Sequence, residues 1–158
     1  MKELSIEDTA PEFDVKISEG TRVKLSDLKG KYVVLYFYPR DSTPGCTVEA
    51  RDFNAKLDRF DEFAAIVIGI SKDDLTSHEK FSSKHDLKFM LGADIEGKMC
   101  ENYGVWAQKS MFGKKYMGIN RSTFLIDPQG KIAYIWHKVS VASHASSVLK
   151  KLEELKSS

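Results

Sequence analysis

The hydrophobic and polar positions of the chain form strand-like and helix-like patterns in turn, which predicts strands that alternate with helices. Residues 32–38 (Tyr-Val-Val-Leu-Tyr-Phe-Tyr) are continuously apolar or aromatic, as is typical of a central strand covered on both faces. Apolar positions recur at helical spacing over 47–60 and predict an amphipathic helix. A second buried strand at 64–70 precedes a polar helical stretch at 73–85 and a short candidate strand at 89–91.

In the remaining segments, turn residues are a clearer signal than hydrophobic periodicity. Residues 15–17 and 23–25 alternate around Glu-Gly-Thr at 19–21, which predicts an N-terminal hairpin. Strands at 122–126 and 132–136 flank Asp-Pro-Gln-Gly at 127–130 and form a second antiparallel hairpin. A short helix is expected at 97–103 and a closing helix at 143–156. Residues 107–118 contain three lysines, two glycines and no clear period, so we expect a loop or an irregular sheet edge there.

This order of elements predicts the fold class. Strands that alternate with helices, followed by a hairpin and a last helix, form an α/β three-layer sandwich around a central mixed sheet. That is a thioredoxin-like architecture in outline, with an N-terminal hairpin added. The length of 158 residues and a hydrophobic content of 42% suit one domain spanning 1–158.

Charge and cysteine content narrow the classes of function. The 24 basic and 23 acidic side chains nearly cancel, so we expect neither nucleic acid nor a membrane as partner. No apolar run approaches the roughly 20 residues of a membrane span, and residues 1–5 lack the apolar core of a signal peptide. We therefore expect a cytoplasmic protein. Two cysteines are too few for a disulfide scaffold, so each is either buried or reactive.

The junction between the first buried strand and its helix carries the candidate chemistry. Cys46 falls in the first helical turn, where unpaired N–H groups and a partial positive charge favour thiolate over thiol. Pro39 and Pro44 stiffen the preceding loop, and Gly45 lets its N–H approach a small ligand closely. The Thr43 hydroxyl can donate to the sulfur or accept a hydrogen bond from a small bound ligand. A reactive sulfur is therefore predicted at Cys46.

Other chemistries that use cysteine or histidine fit the sequence less well. A disulfide oxidoreductase would carry Cys-x-x-Cys at the helix start, but Glu49 occupies the second position. A cysteine phosphatase would need an arginine six residues after its nucleophile, and Arg51 is one residue short. The histidine pairs 78/85 and 137/144 are each seven residues apart, too far along one helix to share an ion, so no metal is expected.

The spacing Pro39-x-x-x-Thr43-x-x-Cys46 resembles the active-site signature of the peroxiredoxins. Residues 38–49 are similar to their bacterioferritin-comigratory subgroup, and the likeness continues through 120–127 and 130–132. The resemblance implies a peroxidase that needs no cofactor and reduces hydrogen peroxide and organic hydroperoxides. It implies that Cys46 is the peroxidatic nucleophile and that Thr43 binds peroxide. Arg121 matches the arginine that completes such a site.

Glu49 lies one helical turn after Cys46 and has two interpretations. Its carboxylate can orient the Arg121 guanidinium, whose fixed charge would stabilise the thiolate and the lengthening O–O bond. It can equally be an ordinary first-turn glutamate favoured by the helix dipole.

The step that restores Cys46 depends on a second thiol. Members of the resembled subgroup often carry a resolving cysteine where this chain has Arg51, or in the helix that here contains Ser82. Both are absent, so we expect a one-cysteine cycle in which thioredoxin, glutaredoxin or a small thiol reduces the Cys46 sulfenic acid. Cys100 is either a buried residue or the resolving partner of Cys46 in a two-cysteine cycle. A further alternative is a non-catalytic redox sensor that uses the sulfenic acid of Cys46 as its signal. We expect a monomer or a weak dimer.

Overall fold

The structure, a computed structural model, describes residues 3–157 and has nine strands and five α-helices within that range. Residues 1, 2 and 158 of the expected domain lie outside the described residues. The strands are β1 (Asp14–Ser18), β2 (Thr21–Lys24), β3 (Tyr32–Phe37), β4 (Ala65–Ser71), β5 (Met90–Ala93), β6 (Trp106–Met111), β7 (Lys114–Ile119), β8 (Ser122–Ile126) and β9 (Ile132–Trp136). The helices are α1 (Pro44–Ala55), α2 (Leu57–Glu62), α3 (Leu75–His85), α4 (Lys98–Asn102) and α5 (His144–Ser157).

Seven of these strands form one mixed sheet, in the order β2-β1-β5-β4-β3-β8-β9. The parallel pairs β3/β4 and β4/β5 form its middle, and β3 also pairs antiparallel with β8. The continuous apolar run predicted for β3 is explained by this position, because the strand is buried on both faces. The mixed sheet expected from the element order is confirmed.

The sheet separates two apolar clusters, and more helices pack on one side of it than on the other. On β3, Val33, Leu35 and Phe37 face one cluster, and the alternating residues Val34 and Tyr36 face the other. Buried side chains of α1, α2, α3 and α5 belong to the second cluster. On the first side, α4, a 3₁₀ turn at Leu25–Leu28, the N-terminal segment, and Val105 and Ile119 contribute to the cluster. Four α-helices therefore pack on the second side of the sheet and one packs on the first.

Most predicted elements occur within one or two residues of their expected bounds. The N-terminal hairpin pairs β1 with β2, and the hairpin of β8 and β9 turns at 127–130, where the Gly130 N–H donates to the Asp127 carbonyl at 2.9 Å. The closing helix α5 was expected one residue earlier at both ends. Among residues 3–157, no helix combines the length and the apolar character needed to cross a membrane.

The helix expected over 47–60 is wrong in two respects. It begins at Pro44, because Thr43 has the extended backbone of an N-cap and Pro44 suits the first helical position. It also breaks at Lys56, whose N–H donates to the Phe53 carbonyl three residues back, and α2 restarts at Leu57. Apolar spacing continues across the break, so the pattern alone could not reveal it.

The loop or irregular edge expected over 107–118 is also wrong. Strands β6 and β7 pair antiparallel over six residues each and form a separate two-stranded sheet, the β6–β7 hairpin. Phe112 and Gly113 connect them with φ values of 53° and 79°, as in the tight turns that suit a twisted hairpin. Because most of the hairpin is exposed, its sequence lacks the alternation that a half-buried strand would show.

Candidate active site

Cys46 lies in the first turn of α1, which begins after the six-residue loop that follows β3. Thr43 is the N-cap and Pro44 the first helical residue, so the N–H groups of Gly45 and Cys46 are among those that have no partner inside the helix. The Cys46 side chain packs into the second cluster and the residue is 1% exposed. The sulfur is thus held at a helix N-terminus, close to the surface but shielded from bulk water.

The strand register brings Arg121 to this turn. Phe37, the last residue of β3, pairs with Ser122, the first residue of β8. Arg121 immediately precedes Ser122, and its carbonyl accepts a 2.8 Å bond from the Val139 N–H. The end of β3 and the start of β8 therefore meet at one edge of the sheet, which places two residues 75 positions apart side by side.

The Arg121 guanidinium contacts both the sulfur and a carboxylate. Nη2 lies 3.3 Å from Cys46 Sγ, and Nη1 donates to Glu49 Oε1 at 2.6 Å. Gly45 lies against the same group, since a Cβ added there would be 3.3 Å from Arg121 Nη2. Cys46, Glu49 and Arg121 thus form one contiguous cluster, and Gly45 leaves the space that it needs.

Burial strongly affects the electrostatics of this cluster. The Glu49 side chain is 1% exposed, and its Oε2 has no hydrogen-bond partner among the described residues. Burial raises the pKa of Glu49 to about 7, against the opposing effect of Arg121. Burial also lowers the pKa of Arg121, but the charges of Glu49 and Cys46 outweigh that effect and raise this pKa above its usual value. Arg121 is therefore a permanent cation beside the sulfur.

Thr43 uses its hydroxyl proton within the loop. Its Oγ1 donates to the Arg40 carbonyl at 2.9 Å, and its own carbonyl accepts from the Thr47 N–H and hydroxyl at 2.9 Å and 2.8 Å. Of the two roles expected for this hydroxyl, donation to the sulfur and acceptance from a hydroperoxide, this geometry leaves the second available.

A groove of about 640 Å³ opens beside the cysteine loop. Pro39 and Thr43 line one side, and residues of the β6–β7 hairpin, among them Lys109, line the other. Burial and the charge of Arg121 lower the pKa of Lys109, while Cys46 has the opposite effect. Lys109 is thus electrostatically coupled to the cluster, a role that the sequence did not indicate because its segment was expected to be a loop.

Cys100 lies on the other side of the sheet. It belongs to the first apolar cluster and is fully buried, whereas Cys46 belongs to the second. Its N–H donates to Asp94 Oδ2 at 2.9 Å, and burial together with Asp94 raises the pKa of its thiol far above the usual range. The central sheet therefore separates the two thiols.

A buried polar network supports the cysteine loop from behind. Asp41 Oδ2 lies 2.7 Å from His78 Nδ1 on α3, and the Tyr38 hydroxyl donates to the other carboxylate oxygen. The second ring nitrogen of His78 is 3.0 Å from the Gly92 carbonyl. Burial alone would raise the pKa of Asp41, but the hydrogen bonds of His78 and Tyr38 hold it below its usual value. The network thereby ties the loop to α3 and β5.

Three members of this region could by distance hold a metal ion, since ligand atoms of Asp41, Asp73 and His78 lie within 4.8 Å of one another. Their atoms are already engaged, because Asp73 Oδ2 accepts from the Asp41 N–H at 2.7 Å and His78 contacts Asp41 and Gly92. Hydrogen bonding accounts for the arrangement. The spacing of histidines could not reveal it, because Asp41 and His78 are 37 positions apart.

Comparison with known proteins shows the family of this chain. The sequence profile of the AhpC/TSA family matches residues 6–135. Peroxiredoxin Bcp of Bacillus subtilis is 49% identical over 152 residues, which cover 96% of this chain and 97% of that protein. The chain belongs to the AhpC/TSA family. Within that family it is a peroxiredoxin of the Bcp type, as the similarity of residues 38–49 indicated, and peroxiredoxins are thiol-dependent peroxidases.

Solved structures of similar proteins bear out the fold. A Cys-to-Ser mutant of PrxQ from Xylella fastidiosa has a TM-score of 0.93 at 36% identity, with 99% of both chains covered. The bacterioferritin comigratory protein of Xanthomonas campestris has a TM-score of 0.86 at 43% identity, with 90% of both chains covered. That structure concerns the alkyl peroxide reduction activity of the Xanthomonas protein. The thioredoxin-like α/β fold expected from the sequence is confirmed.

Proposed function

We propose that the Cys46 thiolate attacks the O–O bond of a hydroperoxide and becomes a sulfenic acid. A bond forms between Sγ and the terminal oxygen, the O–O bond breaks, and the leaving alkoxide or hydroxide takes up a proton as alcohol or water. The observation that carries this proposal is the 3.3 Å contact between Arg121 Nη2 and Cys46 Sγ at the start of α1. A fixed cation and a helix N-terminus both favour negative charge on sulfur and on the leaving oxygen.

Each neighbour has a distinct proposed role. Thr43 accepts a hydrogen bond from the hydroperoxide O–H and so orients the substrate, and the Gly45 N–H donates to a peroxide oxygen. Arg121 stabilises the charge that develops as the O–O bond lengthens. Glu49 does not touch the substrate and positions Arg121 through their 2.6 Å bond. Pro39 shapes the loop and the groove.

We propose that the substrates include organic hydroperoxides as well as hydrogen peroxide. The groove beside Thr43 and Pro39 has a volume in the range of small-molecule sites, and its far side is partly apolar. An organic group can therefore lie in the groove while the peroxide end meets the sulfur. The alkyl peroxide reduction by the Xanthomonas relative supports this proposal.

We propose a one-cysteine cycle completed by an external thiol. Cys100 is fully buried on the opposite side of the sheet from Cys46, and Arg51 and Ser82 supply no sulfur. Disulfide geometry requires Cα atoms within about 7 Å, so a Cys46–Cys100 bond would demand extensive opening of the fold. A protein or small thiol of a reducing compartment such as the cytoplasm can reduce the sulfenic acid instead.

Mass analysis of the intact protein after one equivalent of peroxide tests both parts. The wild type and Cys100→Ser should each gain one oxygen, mapped to the Cys46 peptide, and both should consume peroxide when a thiol is in excess. Cys46→Ser should do neither. Peroxide consumption by Cys46→Ser near the wild-type rate would remove the proposed nucleophile. A loss of two hydrogens with a linked Cys46–Cys100 peptide would replace the one-cysteine cycle with a two-cysteine one.

A further inference from the structure

The β6–β7 hairpin concentrates exposed apolar surface. Of the seven large apolar side chains exposed among residues 3–157, four belong to this hairpin, namely Met111, Phe112, Tyr116 and Met117. Phe112 is 98% exposed at the tip, and both methionines are more than half exposed. Single exposed apolar residues are common on proteins, but a cluster of aromatic and methionine side chains on one protruding element is typical of a binding surface.

The same hairpin carries basic side chains and no acidic ones. No acidic residue occurs between Glu101 and Asp127, whereas Lys109, Lys114 and Lys115 all lie on the hairpin. The near balance of charge over the whole chain therefore conceals a local basic surface around the apolar tip. A partner that fits it has an apolar centre and an acidic rim.

The hairpin also borders the approach to Cys46. Met111 and Tyr116 line the groove together with Pro39 and Thr43, and Lys109 is electrostatically coupled to Cys46. A protein thiol that reaches this sulfur from the side of the groove therefore contacts the hairpin. A small thiol enters the groove without needing the hairpin tip.

We propose that the β6–β7 hairpin is the docking surface for the protein that reduces oxidised Cys46, a dithiol protein whose reactive cysteines lie in an apolar patch with an acidic rim. This inference rests on the proposed one-cysteine cycle. The partner thiolate attacks the Cys46 sulfenic sulfur, an S–S bond forms, and the S–O bond breaks to release hydroxide, which becomes water. The partner's second thiolate then attacks the sulfur of the partner's first cysteine in the mixed disulfide. Cys46 leaves as a thiolate, and the partner keeps the disulfide.

Steady-state peroxide turnover with two protein reductants and one small thiol tests the docking surface. Reduced thioredoxin, regenerated by its reductase and NADPH, and reduced glutaredoxin are the protein probes, and dithiothreitol is the small thiol. Phe112→Asn removes the ring while asparagine tolerates the positive φ of the turn, so the hairpin keeps its shape. We expect the rate constant with a protein reductant to fall by about ten-fold or more and the rate with dithiothreitol to stay at the wild-type value.

Matched variants separate the hairpin from a general surface effect. Ile6 is 49% exposed at the N-terminal end, away from the groove, and Ile6→Asn should leave all three rates unchanged. Lys114→Glu should lower the rate constant with a protein reductant by about ten-fold at low salt and weaken its salt dependence. Lys150→Glu reverses an exposed charge on α5 and should change neither this rate constant nor its salt dependence.

Four outcomes would overturn the proposal. One is a wild-type rate of Phe112→Asn with both protein reductants, and a second is an equal loss with dithiothreitol. A third is an unchanged protein rate together with lost binding to phosphatidylglycerol vesicles, which would assign the hairpin to a lipid surface. The fourth is a wild type that turns over with dithiothreitol but with neither thioredoxin nor glutaredoxin as reductant. Failure of the one-cysteine cycle itself is distinguishable, because the wild type would then form the Cys46–Cys100 link after one equivalent of peroxide.

Discussion

Glu49→Gln should change how the stability of the fold depends on pH. The substitution keeps the shape of the side chain and an oxygen that accepts from Arg121, but it removes a carboxyl group that titrates inside the protein. In the native structure Glu49 is 1% exposed, and only one of its oxygens has a partner among the described residues. The cost of ionising Glu49 is therefore a property of the folded state.

The magnitude follows from the pKa of Glu49, which burial raises from 4.5 to about 7. At about 1.4 kcal/mol per pKa unit, this difference corresponds to about 3 kcal/mol. The folded state binds the proton more tightly than the unfolded chain, so the stabilising contribution of protonated Glu49 is complete below pH 4.5. It is lost as the pH rises through 7.

Denaturant unfolding of the wild type and Glu49→Gln, followed by tryptophan fluorescence from pH 4.5 to about 8, measures this contribution. The difference in the free energy of unfolding should move by about 3 kcal/mol in favour of the variant as the pH rises. Glu79→Gln, at an exposed position on α3, is the control and should differ from the wild type by a constant amount. A constant difference for Glu49→Gln as well would refute burial as the dominant influence on Glu49.

Three further substitutions test the site and its support. Thr43→Val should slow the reaction of Cys46 with peroxide by about ten-fold or more in stopped-flow fluorescence, while Thr43→Ser stays near wild type; equal rates would contradict the proposed acceptor role. Gly45→Ala should lower the same rate roughly two- to ten-fold, because its Cβ lies 3.3 Å from Arg121 Nη2, and an unchanged rate would show that Arg121 can move freely. Tyr36→Phe should raise the free energy of unfolding by about 1 kcal/mol, because the buried hydroxyl has no partner among residues 3–157; destabilisation in denaturant unfolding would contradict this.

Short-range patterns predicted most elements of the fold. The continuous apolar run of β3 and the turn chemistry at 127–130 act over a few residues, so both were visible without tertiary contacts. The β6–β7 hairpin was missed because it is exposed and has no core-facing alternation. The break at Lys56 was missed because helical spacing continues through it.

For the candidate site, the sequence by itself determined that Cys46 stands at a strand-to-helix junction beside Thr43 and Gly45, since these residues are neighbours along the chain. Only the tertiary structure decided that Arg121 reaches the sulfur, because that contact depends on the β3/β8 register. It also placed Cys100 across the sheet and brought the lysines of the hairpin to the groove. Local chemistry follows from spacing along the backbone, whereas the separation of two thiols and the clustering of charge depend on which face of the sheet each residue occupies.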